Sequence, residues 1–317
     1  MPTRLPQVND MATAGAFAIG IDVGGTKTKA CLVRVDDGAV ITERTEPTPC
    51  AAGGAAVLDL VRTLAGEMQT EALSSVGRVR GLGVCLPELV TRSGEPASNW
   101  NFDWRGLDFR TPLSTVAPIY LESDVRAAAF AEGWIGAGKG ADVFFYVTLS
   151  TGLSHTLVLE GRPYAGARGF AIHFSGSDLV AYDGAGVEVR QNLELFASGK
   201  ALGERYGELI GAPATARQLF DAEATDPRAA KMVDQALNTT ASYLGQLINT
   251  LDPERLVLGG GIGGEPAINR RLAARTREFI WAESVRNLPI VASTLGDNGC
   301  AIGVAALASK LRNEVVR

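Results

Sequence analysis

The sequence is short of the residues that mark an extracellular or metal-built protein. Among 317 residues there are four cysteines and two histidines. Cys31, Cys50, Cys85 and Cys300 lie far apart, so neither a disulfide framework nor a sequence-local metal site is expected, and the usage fits a reduced, cytoplasmic protein. Positive charge is not in excess: 30 Lys and Arg stand against 35 Asp and Glu, a net charge of −5 with both signs mixed. That excludes the basic patch on which duplex nucleic acid depends. No apolar run approaches the roughly 20 residues of a membrane span. The first sixteen residues are broken by charged and polar positions, so secretion and a membrane partner are not expected either. Residues 1–15 read as a disordered polar tail, within which Met11 offers an alternative start. Aromatics are sparse at 7%, yet 46% of residues are hydrophobic, enough for a packed core. A single core stops growing at roughly 250–300 residues, so this length favours two domains.

The organisation is periodic. From Phe17 the chain reads as an apolar strand, a turn at Gly24 and Gly25, a second strand TKACLVRV, a turn at Asp36–Gly38 and a third strand from Ala39. The stretch from Val143 to Gly166 repeats this order: FFYVTLS, a turn at Thr151 and Gly152, SHTLVLEG, then a turn at Glu160 and Gly161. Laying Ile19 on Phe145 places Asp22 on Thr148 and Gly25 on Thr151, which reads as an internal duplication. Helical spacing over Ala55–Leu73, Val125–Ile135, Lys231–Leu251 and Cys300–Leu311 alternates with strands at Val79–Leu86, Ile119–Leu121 and Val291–Leu295. Arg255 to Gly264 reads as a strand followed by a glycine turn. Alternation of this kind predicts an α/β fold with sheets covered by helices.

Three strand ends carry chemistry. In Ile21–Lys29, IDVGGTKTK, Asp22 closes a strand and Gly24 and Gly25 permit a tight turn that presents peptide N–H groups, the Thr26 hydroxyl and Lys27 to an anion. A strand follows, so this is neither a P-loop nor a dinucleotide fingerprint. The second copy offers Ser150, Thr151 and Gly152, and Gly259, Gly260 and Gly261 form a third cluster. Each taken alone is an ordinary turn, but together they suit one nucleotide in a cleft between two domains.

The ordered set DVGGTKTK, SDVRAAAFAEGWIGAG, VTLSTG, GARG, LELFASG, LVLGGGI and LGDNGCAIGVAALA resembles the ROK family of sugar kinases, from about Phe17 to about Ala308. The resemblance implies a two-domain actin-like ATPase (ribonuclease-H-like) fold with duplicated βββαβα units. The small domain would be 16–122 joined by 300–317, and the large one 123–299. It implies Mg-ATP, a sugar hydroxyl as phosphoryl acceptor and a homodimer. Carried over by position, Asp124 is the general base, although an Asp here also suits a helix cap. Asp22 would orient Mg2+ through water. Gly24, Gly25, Thr26, Lys27, Ser150, Thr151, Gly152 and Gly259–Gly261 would surround the nucleotide, while Lys27 is equally a solvated hairpin lysine. Asn99, Asp103, Ser123, His173 and Glu194 fall where the family contacts the acceptor, with a plain surface loop or helix as the alternative for Asn99, Asp103 and Glu194.

The departures are informative. The family's Asn-Asp-Ala-Asn is Ser123-Asp124-Val125-Arg126, and Ser150-Thr151 and Arg168 replace its Gly-Thr and Asn. His173 stands at a sugar-binding glutamate, Gly176 at a histidine shared by sugar and zinc, and Ala185, Val187 and Asn192 at three zinc-binding cysteines. All four zinc ligands are missing together, so no structural zinc is expected. The expectation is an ATP-dependent kinase for a primary hydroxyl of a hexose, an amino sugar or a cyclitol, with glucose disfavoured. A non-catalytic sugar-binding or regulatory protein is the alternative. A DNA-binding regulator is disfavoured because only about sixteen residues precede the first strand, too few for a three-helix module.

Overall fold

The computed structural model describes residues 15–314, and the tail expected over residues 1–15 lies, except for Gly15, outside them. The chain divides into two compact units, one running through Ala127 and resuming at Cys300, the other Ala128–Gly299.

The first unit opens with β1 (Phe17–Val23), β2 (Lys27–Arg34) and β3 (Val40–Pro47), an antiparallel meander. Helix α1 (Gly53–Ser75) follows, then β4 (Leu82–Leu86), the short α2 (Arg110–Leu113) and β5 (Ile119–Ser123). The sheet order is β3-β2-β1-β4-β5, with β4 parallel to β1 and β5 parallel to β4. β1 is central and covered on both faces, which is why its first five residues, FAIGI, are apolar and buried instead of alternating. α1 buries Val57, Val61, Leu64, Ala65, Met68 and Ala72, the three- and four-residue spacing of one helix face, against Ile19, Ile21, Leu82 and Val84. Helix α3 (Asp124–Ile135) starts directly at the end of β5 and carries the chain into the second unit.

The second unit repeats the plan. β6 (Val143–Leu149), β7 (Leu153–Leu159) and β8 (Arg162–Pro163) are antiparallel neighbours. A hairpin of β9 (Asp178–Tyr182) and β10 (Glu188–Asn192) leads into α4 (Leu193–Ala197), α5 (Gly199–Ile210) and α6 (Ala216–Ala222). Helix α7 (Pro227–Leu251) then precedes β11 (Arg255–Gly259), α8 (Gly260–Gly263), α9 (Pro266–Glu278) and β12 (Ile290–Ala292). The sheet order, β12-β11-β6-β7-β8, is that of the first unit read from its other edge, and β11 is parallel to both β6 and β12. α7 is bounded by its own residues: Asp226 caps its N-terminus, Pro227 occupies the first turn, and Asp252 ends it in the left-handed region.

Two sequence expectations change in detail. The third strand of the second copy shrinks to two residues, because Pro163 has no N–H to extend the ladder. The glycines after β11 form not a loose turn but one turn of helix, α8, entered through Gly260 at φ +78°. The last element, α10 (Gly299–Glu314), returns to the first sheet at backbone contact. A Cβ on Gly20 would lie 1.9 Å from the Ala301 carbonyl oxygen, and one on Gly83 2.2 Å from that of Val304. Those two glycines let the helix settle on β1 and β4 and place Cys300 beside their ends.

Candidate active site

At the end of β1 in the first unit, the turn is tied back by its carbonyls. The Thr48 hydroxyl donates to the Gly24 carbonyl at 2.8 Å, the Cys50 thiol to that of Gly25 at 2.7 Å, and the Thr48 N–H to that of Thr26 at 3.0 Å. In a trans peptide the N–H points opposite to the C=O. The N–H groups of Gly25, Thr26 and Lys27 therefore face away from the Thr48–Cys50 segment, on an exposed turn, as an anion-binding nest requires. The Gly24 N–H is not among them, since it donates to Lys27 O at 3.0 Å.

Asp22 and Asp124 come together in this unit. Asp124 opens α3, and its Oδ1 accepts the N–H of the next residue, Val125, at 2.7 Å. Burial, with the Asp22 charge adding to it, pushes its carboxyl up to about 7, against the lowering effects of the Val125 N–H and Arg126. A carboxylate tuned to neutral pH is suited to proton transfer. Beneath it, buried Arg126 donates through Nε to Glu122 Oε1 at 2.7 Å and through its terminal nitrogen to Val90 O at 2.9 Å, while Glu122 also accepts the Tyr120 hydroxyl at 3.0 Å. The adjacent Ser123 hydroxyl is fully buried and without a hydrogen-bond partner.

The loop bearing Asn99 and Asp103 is organised by Glu88, which the sequence did not single out. This buried carboxylate accepts the Ser98 hydroxyl and the N–H groups of Trp100, Asn101 and Phe102. Asn99 is exposed and accepts the Trp104 N–H at 3.0 Å. Asp103 is engaged on the surface by Arg105 through two contacts of 2.8 and 2.7 Å.

In the second unit the turn after β6 uses the same device. Ser150 O accepts the Gly199 N–H at 2.8 Å and Thr151 O that of Lys200 at 3.0 Å, which directs the N–H groups of Thr151 and Gly152 away from α5. Parallel pairing sets Gly259 opposite Thr148, so the glycine cluster and this turn share one end of the sheet. Gly260 and Gly261 line a cavity of about 260 Å³ with Gly264, Glu265, Ser293, Gly296 and Asp297. Glu194 is brought to the same turn: its Oε1 lies 3.1 Å from where a Cβ on Gly152 would be. His173, half-buried, lies close enough to His155 for its charge to act on that ring.

The sequence profile of the ROK family matches residues 18–311. The chain belongs to the ROK family. It is 32% identical over 315 residues to the bifunctional enzyme NanE/NanK of Brucella suis, covering 95% of this chain and 55% of that protein, so it spans about half the length of this relative. It is 29% identical over 312 residues to the glucokinase of Thermotoga maritima, with 91% and 96% of the two chains covered. Among solved structures, the ROK hexokinase of Thermus thermophilus shares 29% identity at a TM-score of 0.72, covering 94% of this chain and 99% of that one. The architecture is therefore the two-domain actin-like ATPase fold, with its βββαβα unit present twice.

Against the ROK pattern, the segment that would carry the zinc ligands folds as a hydrogen-bonded hairpin. Asp183 Oδ1 accepts the N–H groups of Ala185 and Val187 to close its turn, and Asn192 caps α4 while its side-chain amide donates to Gly176 O and Asp178 Oδ1. A second residue missed from sequence is Glu132, buried on α3, which accepts the Ala137, Thr294 and Leu295 N–H groups and the Ser293 hydroxyl. No helix of the described residues is long and apolar enough to cross a membrane.

Proposed function

We propose that this ROK protein is an ATP-dependent kinase that transfers the γ-phosphoryl group of Mg-ATP to a primary hydroxyl of a hexose, an amino sugar or a cyclitol. The observation that carries the reading is Asp124: a carboxylate at a strand-to-helix junction, half-buried, poised near neutral pH and beside a second carboxylate, Asp22. In this reading Asp124 accepts the acceptor's hydroxyl proton as that oxygen bonds to the γ-phosphorus and the bond to the ADP oxygen breaks. The outward N–H groups of Gly25, Thr26 and Lys27, and of Thr151 and Gly152, hold phosphate oxygens, and Gly259–Gly261 admit the nucleotide where larger residues would not fit. Lys27 adds a positive charge on its exposed turn, and Ser150 and Thr151 add hydroxyls. Asp22 offers a hard oxygen donor next to the first turn, which fits Mg2+ held through water. Mg2+, when bound with ATP, neutralises charge on the transferring phosphates.

The acceptor is read by Ser123, Asn99, His173 and Glu194. Ser123 supports this directly, because a fully buried hydroxyl without a partner is a group that a ligand hydroxyl would satisfy. Asp103, held by Arg105 on the surface, is left to loop positioning. The reading includes no structural zinc, since Ala185, Val187 and Asn192 bring neither thiol nor imidazole to the hairpin. It also places the protein in the cytoplasm as a homodimer with no nucleic-acid or membrane partner. The test is ADP release over a panel of hexoses, amino sugars and cyclitols. One acceptor class should give turnover well above ATP hydrolysis in water; a panel without any such acceptor, under conditions where ATP binds, would overturn the reading.

A further inference from the structure

The first unit holds two thiols that the phosphoryl-transfer reading does not use, beside a carboxylate that it does. Cys85 on β4 and Cys300 at the start of α10 are 215 positions apart in sequence, yet with Asp22 they form a cluster whose two sulfurs and carboxylate oxygen all lie within 4.8 Å of one another. Three contacts close the triangle. Cys85 Sγ lies 3.4 Å from Asp22 Oδ1 and 3.5 Å from Ile21 O, its single S–H donating to one of them, and Cys300 Sγ lies within 4.8 Å of both Cys85 Sγ and Asp22. The arrangement is fixed by the backbone. Asp22 and Cys85 are direct partners in the parallel β1–β4 ladder, and the contacts of Gly20 and Gly83 with the Ala301 and Val304 carbonyls set where α10 begins.

We propose that Asp22, Cys85 and Cys300 form a binding site for a thiophilic divalent cation of the Zn2+ class. Thiolates select zinc-like ions over Mg2+, and a carboxylate oxygen completes a common three-ligand set with the fourth position left to water. Zinc holds sulfur at roughly 2.3 Å and oxygen at roughly 2.0–2.2 Å, which puts ligand atoms about 3.3–3.8 Å apart. The 3.4 Å between Cys85 Sγ and Asp22 Oδ1 already meets that spacing. On binding, two S–H bonds break, two metal–sulfur bonds form and two protons pass to solvent, so the net charge at the three ligands and the ion becomes −1. The cation's consequence for catalysis rests on the proposed function: it takes the Asp22 oxygen that would otherwise orient Mg2+, so it would inhibit.

The experiment is an anaerobic titration of the reduced full-length chain with Co2+, followed by displacement with Zn2+. A thiolate-to-cobalt charge-transfer band should saturate at one equivalent and disappear on adding Zn2+. In Cys300→Ala, which retains the exposed Cys50, the band should vanish and Co2+ affinity fall at least ~10-fold; Cys85→Ala should behave alike if it folds. No band, or a band unchanged in Cys300→Ala, would overturn the site. Turnover is read separately. Inhibition by one equivalent of Zn2+ that a chelator reverses, and that Cys300→Ala escapes, supports the regulatory role. A cobalt band in a chain inactive on every acceptor would keep the site and discard the kinase reading, and an active chain without a band would do the reverse.

Discussion

The two units share a sheet and differ in what they place at its open end. Each has the order of three antiparallel strands followed by two parallel ones, and in each the first turn has its carbonyls tied back by a later segment so that peptide N–H groups face out. In the first unit, Asp22 lies one residue before the end of β1 and Asp124 begins the helix after β5. In the second, the position equivalent to Asp22 is Thr148, and glycines gather at the end of the neighbouring strand. The common scaffold turns peptide N–H groups outward twice; in the proposed reading the difference gives metal and proton chemistry to one copy and nucleotide clearance to the other. A duplicated fold thus keeps the backbone device and varies the side chains, as expected where catalytic groups ride on strand ends.

The sharpest way to break this comparison is to neutralise one carboxylate. Asp124→Asn should lower kcat by roughly 10²–10⁴-fold while leaving ATP affinity within about twofold, measured by ADP release and by direct nucleotide binding. An Asn variant with wild-type turnover would remove the division of labour. With Asp124 at about 7, the wild-type rate should also rise with pH through neutrality, as the base loses its proton, and a flat profile between pH 6 and 8 would argue against it. Next in size is the support below the base. Arg126→Met leaves Glu122 buried without its cation, which should cost about 3–5 kcal/mol in chemical denaturation. In the second unit the end of β11 is held by close packing instead: a Cβ would lie 2.2 Å from the Tyr146 hydroxyl at Gly259 and 2.3 Å from Leu149 O at Gly260, so alanine at either should also destabilise.

The units should also respond to pH with opposite sign. Asp124 is raised above the usual carboxylate range, so the folded state holds its proton more tightly, and its contribution to stability falls as pH rises from about 4 to about 7. His155, in the second unit, is lowered to about 4 by burial, against an Ile172 backbone hydrogen bond and with the His173 charge adding. The unfolded chain takes that proton first, so its contribution is present above about pH 6.5 and lost as pH falls toward 4. Each effect should be about 2 kcal/mol once partial exposure is allowed for. Denaturation series in Asp124→Asn and His155→Gln should each remove one limb of the pH dependence. If either variant removes both limbs, the two groups are not the source.

What could be read from sequence follows physical range. The duplication was legible because strands and turns are local: Ile19 on Phe145 aligned Asp22 with Thr148, and the sheets confirm the correspondence. Asp124 was singled out by position, and the structure adds its contact with the Val125 N–H and the burial that pushes its carboxyl up to about 7. Glu88 and Glu132 were not, since each organises a loop by accepting several N–H groups, and a lone carboxylate gives no periodic signal. The Asp22–Cys85–Cys300 cluster was hidden for a related reason. Cysteine spacing along the chain suggested no metal site, whereas strand pairing and a helix seated on two glycines bring residues 22, 85 and 300 together.

The smallest expected effect tests one segment from each unit. Gly25 lies in the exposed turn after β1 of the first unit and Gly261 is an exposed residue of α8 in the second; both have φ outside the left-handed region, and a Cβ added at either would meet nothing within 4 Å. Alanine at either should therefore fold normally, with stability changed by less than about 0.5 kcal/mol. In the proposed reading a methyl group would still stand beside the N–H face of the first turn, or in the space that Gly261 leaves for the nucleotide. ATP affinity should fall about 3–10-fold, a change near 1 kcal/mol, in isothermal titration of each variant. If the two segments act on one nucleotide through separate contacts, the double variant should show the two losses added within about 0.5 kcal/mol. A loss confined to one glycine would mean that only one of these two segments meets the nucleotide.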